Sequence, residues 1–218
     1  MGYTSQLMDI VSGVGVIDKA FVVLNALAER PHSLATIVEA TDMPRATAHR
    51  LLLALEQHGA VRRMADGQFC LGTALIGLGV GAQMQYPFVE QARRVAHDLR
   101  DAIGERVQVY VAEAAGRRCI VSFESTHGLR WIVPEGSLLP LSRGSAGRLL
   151  VGHKLSVGGW IESVEEREKG VASVSAPIFD SDGDVIAALS VSGPLERLSR
   201  TPGKKYGAKL VKAARLLR

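Results

Sequence analysis

The chain predicts an α+β protein in two parts: an N-terminal winged helix-turn-helix domain and a C-terminal domain built on an antiparallel sheet. Three observations predict it. Residues 33–72 carry two short helical patterns that meet at a tight turn and run on into a basic hairpin. A glycine-bearing helical pattern at 73–86 separates this block from the rest of the chain. From residue 87 onward come a helix pattern, strand runs, a short helix, more strand runs and a closing helix. The expected boundaries are therefore 1–72 for a DNA-binding domain, 73–86 for a linker helix and 87–218 for a second domain.

In the first block, Ser33 is a good N-cap, and Leu34, Ile37, Val38 and Thr41 come after it as a helical stripe. Pro44 stands where a second helix can begin, because the first turn has no partner for its missing N–H. That helix buries Ala48, Leu51, Leu52 and Leu55 and turns Arg45, Thr47, His49 and Arg50 outward. It stops at His58-Gly59, a glycine end with a cation near the negative end of the dipole. Val61–Met64 and Gln68–Leu71 flank Ala65-Asp66-Gly67 as a hairpin, the wing. Upstream, Asp18–Glu29 supplies a third helix with Ala20, Val23, Leu24 and Leu27 on one face, stopped at Arg30-Pro31. In helix-turn-helix readers the N-terminal part of the second helix reaches base edges. The expected DNA-contacting set is Ser33, Pro44, Arg45, Thr47, His49 and Arg50, with Arg62, Arg63 and Gln68 from the wing.

Charge narrows this reading. The chain of 218 residues has a net charge of +4 and a pI near 9.3, compatible with nucleic acid without requiring it. Residues 1–72 hold 6 Lys/Arg against 7 Asp/Glu, so the basic excess lies elsewhere. Between residues 45 and 63, however, Arg45, Arg50, Arg62 and Arg63 face only Glu56, and phosphate binding needs cations on the contacting face rather than a basic average. A composition of 47% hydrophobic and 22% charged residues is that of a globular protein. The longest apolar run, Ala74–Ala82, falls short of the roughly 20 residues of a spanning helix, and Asp9 interrupts the opening apolar stretch, so a cytoplasmic protein without membrane contact is expected. Cys70 and Cys119, far apart and without histidines at ligand spacing, predict neither a zinc site nor a disulfide.

The linker pattern Gly77-Leu78-Gly79-Val80-Gly81-Ala82 satisfies GxGxxA, but a dinucleotide fingerprint must leave a strand and open a helix. Close packing of the linker helix is the expected reason for its glycines. In the second domain, a helix from Pro87 carries Val89, Ala92, Val95, Ala96 and Leu99 as its apolar stripe. Arg106–Ala112 and Arg117–Ser125 read as a hairpin around Gly116, and Leu129–Val133 as a third strand. A small helix comes next at Ser145–Val151, and Asp180–Gly183 joins strands 170–179 and 185–192. The chain closes with Pro202–Arg218, apolar at Tyr206, Leu210, Ala213 and Leu217 and otherwise cationic.

No nucleophile elbow, metal-binding helix, P-loop or CxxC is present, and the histidines fall in separate elements. Glu165, Glu166 and Glu168, interleaved with Arg167 and Lys169, read as a charge-balanced loop. No catalysis, cofactor or metal is expected. A binding pocket is better supported. Pairing Phe179 with Asp184 sets Ser173 opposite Ser190 and Val171 opposite Ser192, with Ser175 on the same face, while Ala172, Val174, Leu189 and Val191 form the core side. The hydroxyl face then looks either at solvent or at a ligand. Arg143–Gly147 opens a helix with small residues, leaving backbone N–H groups for an anion such as a small carboxylate.

Three stretches, SLATIVEATDMPRATAHRLLLALEQHGAVRR, LPLSRGSAGRLL and GVASVSAPIFDSDGDVIAALSVSGPLERLS, together resemble the IclR family of bacterial transcription regulators, in that family's order. VGVIDKA, EREKGVASVSAP and SGPLERLSRTPG look like its NdgR/LtbR branch, regulators of leucine and other amino-acid biosynthesis genes. The resemblance implies a winged helix that dimerises on a palindromic operator and a GAF-like effector domain that associates further, often into tetramers. It implies a small-molecule effector, a carboxylate or an amino acid, held by Ser145, Ala146, Val171, Ser173, Ser190 and Ser192. One departure stands at VGHKLSVGG, between Leu150 and Trp160, where the family carries a longer excursion; either the pocket is shortened and more open or a segment is missing. Two other readings remain: a metabolite-binding enzyme with an accessory helix-turn-helix, using Ser145 or Glu168, and a sequence-indifferent chromosome-coating protein using the basic C-terminus.

Overall fold

In the computed structural model, which describes residues 12–127 and 133–217, the first helix α1 spans Gly15–Glu29 and buries Val23, Ala26 and Leu27. It begins three residues before the expected start. α2 (Leu34–Thr41) is capped by Ser33, whose Oγ accepts from the Thr36 N–H at 3.2 Å. Asp42 turns the chain in the left-handed region, at φ 51°, and Met43 drops into the core. α3 (Arg45–Gln57) starts just after Pro44, whose carbonyl accepts from the N–H groups of Thr47 and Ala48 at 2.8 and 3.0 Å. Pro44 is thus the cap rather than the first helical residue. Ile37, Ala48 and Leu52 are fully buried with Val23, closing the three helices around one core; each large aliphatic side chain among them contributes about 1.5–3 kcal/mol.

The wing pairs β1 (Val61–Arg63) with β2 (Phe69–Leu71) through a turn in which Gly67 lies at φ 83°. That is the three-residue Ala65-Asp66-Gly67 loop, closed by the Met64 N–H on the Gln68 carbonyl, with its third residue left-handed. His32 exchanges backbone hydrogen bonds of 3.0 and 2.8 Å with Phe69, clipping the wing to the chain before α2. Gly72 passes so close to the α3–β1 turn that a Cβ there would lie 2.0 Å from the Gly59 carbonyl oxygen. Gly72→Ala therefore forces backbone against backbone; it is expected to cost the first unit about 1–3 kcal/mol, read as a lower Tm, and an unchanged Tm would refute this close approach.

α4 (Ala74–Met84) corrects the expectation of a helix held by close packing. None of its residues is buried, and an added Cβ on Gly77, Gly79 or Gly81 meets nothing within 4 Å. Ile76, Val80 and Met84, four positions apart, form one apolar stripe about 80° wide with Leu78 on another side, and all four are exposed within this chain. The glycines also lie mid-helix, away from any strand-to-helix turn, which removes the dinucleotide motif. The chain divides into two compact units, one ending at Gln85 and the other starting at Tyr86.

The second unit is a six-stranded sheet, antiparallel throughout, in the order β5-β4-β3-β8-β7-β6. Its strands are β3 (Arg106–Glu113), β4 (Gly116–Phe123), β5 (Leu138–Leu139), β6 (Ile161–Val164), β7 (Val171–Phe179) and β8 (Val185–Pro194). β5 and β6 are too short to show a period and were not expected. The strand expected at 129–133 falls almost wholly outside the described residues. One face of the sheet packs on α5 (Pro87–Ile103) and α8 (Ala208–Ala214), through Ala92, Ala96 and Leu99 on one helix and Leu210 and Ala214 on the other. α6 (Ser145–Leu150) covers the opposite face, with Ala146 and Leu149 against Tyr110, Cys119 and Ala188. The basic C-terminal pattern is one π-helical turn (Gly203–Gly207) running into α8, after a short α7 (Leu195–Leu198).

The β7–β8 register also differs from the expectation. Five residues, 180–184, separate the strands; the Asp180 N–H donates to the Asp184 carbonyl, and Asp180 Oδ1 accepts from the N–H groups of Asp182 and Asp184. Phe179 pairs with Val185, and a bulge then sets Ile178 opposite Ala187. Ser173 lies opposite Ser192 and Ser175 opposite Ser190, two residues from the expected pairing. A two-residue slip preserves the face of every side chain, so the serines still share one side.

Candidate DNA-reading surface and effector cavity

α3 presents Arg45, His49 and Arg50 exposed, on a stripe with Ala46 and Leu53. The spacing explains it: positions 45, 46, 49, 50 and 53 lie within about 140° of arc at roughly 100° per residue, and the buried Ala48 and Leu52 fall outside that arc, on the Arg45 side. Thr47 falls on the flank and is half-buried. Ala46 and Leu53 escape a reading keyed to hydrogen-bonding side chains, yet apolar groups on such a stripe contact thymine methyls equally well. Ser33 and Gln68 are otherwise engaged. The Ser33 hydroxyl serves the α2 cap, and Gln68 Nε2 donates to Asp66 Oδ2 at 3.1 Å. In the wing Arg62 is exposed, while Arg63 folds its guanidinium over the Phe69 ring at 5.6 Å. Arg45, Arg50 and Arg62 have no ion pair among the described residues, so their charge is available to phosphate.

In the second unit, α6 covers the serine face of β7–β8, burying Ser175 and Ser190 and leaving Ser173 and Ser192 half-buried. Ser145, Ala146, Val171, Ser173, Ser190 and Ser192 all line one cavity between α6 and the sheet. Within it the hydroxyls form a chain: Ser163 to Ser173 at 3.1 Å, Ser173 to Ser145 at 2.8 Å, Ser145 to Ser175 at 2.8 Å and Ser175 to Ser190 at 2.9 Å. Ser190 of the lining is buried, as is Ser175 behind it. Each hydroxyl can donate or accept, so the chain satisfies itself while empty and can reorient toward a polar ligand.

Gln108, Tyr110, Arg117, Ser163 and Arg167 join the lining, and none of them was foreseen. Most come from strands paired to β8 and β7 over long sequence distances, a neighbourhood that local periodicity does not encode. Tyr110 is buried beneath the Arg117 guanidinium, 5.4 Å from its ring, and burial pushes its phenol pKa up, keeping it a neutral donor. Cys119 behind it is likewise a thiol, raised to about 12 by burial. The expected anion site at the start of α6 is partly filled from within: the Gly144 N–H donates to Glu166 Oε2 at 3.1 Å, and Glu166 Oε1 also accepts from Arg148 at 2.8 Å. Glu166 thus serves the α6 turn, and α6 itself is only six residues long. The segment between Leu150 and Trp160 closes on itself, with Ser156 N–H donating to the Trp160 carbonyl at 2.9 Å, and contributes nothing to the cavity lining. Among the described residues no cluster of three or more His, Cys, Asp and Glu could hold a metal ion. Nor is any helix among them long and apolar enough to cross a membrane.

A winged helix with a cationic stripe, followed by a separate α+β unit enclosing a polar cavity, is the organisation of a DNA-binding transcription regulator. Two family models match the chain, the IclR helix-turn-helix domain over residues 16–65 and the bacterial transcriptional regulator IclR C-terminal domain over residues 153–217. Together they take in a little over half of it, in one order, and the chain belongs to the IclR family of bacterial transcriptional regulators. The transcriptional repressor IclR of Escherichia coli is 22% identical over 220 residues, covering 84% of this chain and 80% of that protein. Among solved structures, an IclR transcriptional regulator from Alicyclobacillus acidocaldarius superposes with a TM-score of 0.80 at 20% identity, over 94% of this chain and 97% of that one. An IclR homologue from Microbacterium hydrocarbonoxydans complexed with 4-hydroxybenzoate gives 0.74 at 19% identity, over 93% and 97%. The relatives are named as regulators, and neither matching family model is of a catalytic family.

Proposed function

We propose that this chain represses or activates transcription from a palindromic operator under the control of a small acid bound in the serine-lined cavity. The observation that carries the reading is the cavity itself: hydroxyls converge with Arg117 and Arg167 on enclosed space, with no carboxylate among the described lining residues. An acid fits such a lining, whereas an amino acid would bring its ammonium among guanidinium groups. The bound 4-hydroxybenzoate of the Microbacterium homologue supports an acidic effector.

Pro44–Arg50 enters the major groove, with Arg62 and Arg63 on the flanking backbone. The first unit is nearly neutral, so tight binding requires duplication of the reader in a homodimer or tetramer. Effector binding then shifts the assembly between geometries that do and do not match two half-sites about 34 Å, or a multiple of it, apart. The resemblance to the NdgR/LtbR branch makes amino-acid biosynthesis genes the first targets to examine.

Selection of bound fragments from genomic DNA tests this. The expected result is a small set of palindromic sites, bound about 10³-fold or more over random sequence. A steep salt dependence with no preferred sequence would instead establish the chromosome-coating reading, and turnover requiring Ser145 or Glu168 would establish an enzyme.

A further inference from the structure

A second cationic station that the hydroxyl chain does not use lies beside the cavity. Arg106, Gln108 and Tyr110 alternate along β3 with Val107 and Val109; the valines enter the core under α5, so the polar three face the serine side. Arg106 pairs with Ser192 and Gln108 with Ser190 across the β3–β8 ladder. Arg106 is 4% exposed, and its Nε and Nη1 have no hydrogen-bond partner among the described residues. Gln108 is fully buried; its Oε1 accepts from the Ser192 hydroxyl at 2.8 Å, and its Nε2 has no partner. Burial is the main influence on the Arg106 charge and disfavours it; Glu124 partly offsets this, and Arg167 adds to it. Buried donors left unmade, one of them ionised, are costly in a folded protein, and a ligand that completes them gains what the empty protein lacks.

The other cation is at the opposite end. Arg117 sits over Tyr110 and donates to the Arg143 carbonyl at 2.9 Å, beside the start of α6 where Ser145 joins the hydroxyl chain. Arg106 and Tyr110 stand four positions apart, about 13 Å along β3 at roughly 3.3 Å per residue. Arg106 stands just outside the lining, behind Gln108 and Ser192 and with Glu124 as its counter-charge, so a cation lies at each end of a hydroxylic cavity whose own described lining holds no carboxylate.

We propose that the effector carries two acidic groups, one seated on Arg106 and Gln108 beside Ser192 and the other at the Arg117–Ser145 end. Arg106 is then the residue that distinguishes diacids from monoacids. The inference rests on the cavity being the effector site.

Its test uses the full chain with α,ω-dicarboxylates from succinate to pimelate and linear monocarboxylates of matched length, read by calorimetry, thermal shift and release of the selected operator. One or more dicarboxylates should bind at least about 10-fold tighter than the matched monocarboxylate, since a charge-assisted contact is worth about that much. Arg106→Gln should erase this preference without lowering the Tm of the empty protein, because it removes a buried charge two of whose three nitrogens have no hydrogen-bond partner among the described residues. Arg106→Lys, which keeps the charge, should retain part of it. Equal binding of mono- and dicarboxylates, a preference surviving in Arg106→Gln, or binding of neither class overturns the proposal. The parent reading fails separately: the wild-type chain would bind its operator yet release it for no small molecule in a metabolite extract, neutral or acidic.

Discussion

Arg50→Ala will weaken binding of the full chain to its selected operator by about 10- to 100-fold at fixed salt, the effect of losing one base-edge or phosphate contact of about 1–3 kcal/mol. Arg50 is exposed, lies on the outward stripe of α3 with Arg45 and His49, and has no ion pair among the described residues. Truncating it therefore removes nothing from the core, and the Tm should not move. The form of the loss identifies the contact. A base-edge role relaxes specificity at one position of each half-site, whereas a phosphate role weakens all sequences alike and lowers the salt slope by about one per reader. Lys212→Ala, on the cationic face of α8, is the matching control and should leave operator affinity unchanged. Unchanged affinity of Arg50→Ala would remove α3 as the reading helix.

The largest stability effect is expected at Arg197. Its guanidinium holds Glu105 at the entrance to β3 with contacts of 3.0, 3.2 and 3.2 Å, and the Glu105 side chain is 3% exposed. The pair fastens α7 to the first residues of the central strand. Removing Arg197 strands a buried carboxylate, a change that typically costs about 3–5 kcal/mol and lowers the Tm by about 10 °C or more for a unit of this size. The double substitution Glu105→Leu, Arg197→Met removes both charges and should recover most of that loss, since the cost lies in the unpaired ion rather than in the missing attraction. Urea unfolding of Arg197→Ala, the double variant and the wild type decides it. A double variant as unstable as Arg197→Ala would mean that the arginine stem, not its charge, supports α7.

Arg50 and Arg197 differ in how far the sequence reveals them. Arg50 was legible because helical spacing, a starting proline and a glycine stop are all local signals, and they place it on the outward face without any tertiary knowledge. The serine face of β7 and β8 was legible for a related reason. Side chains alternate with a period of two, so an error of two residues in register, introduced by a longer loop and a bulge at Ile178–Phe179, left Ser173, Ser175, Ser190 and Ser192 on the same side. Arg106 and Arg197 were not legible. Nothing near Arg106 in the chain indicates that it lies beside Ser192, and nothing near Arg197 indicates Glu105.

Local sequence was enough for the longer helices and the Ser33 cap, the winged-helix order, the antiparallel character of the second unit and the strand residues that share a face. Short-range sterics and hydrogen bonding set these features, and their signals repeat within a few residues. Long-range packing alone establishes that α6 covers the serines, that β3 joins β8 and so brings Arg106 and Gln108 to the cavity, that Glu166 serves the start of α6, and that α4 keeps its glycines without packing against them. The order of strands in a sheet depends on which surfaces the helices bury when the whole unit closes, and that balance is summed over residues far apart in the chain.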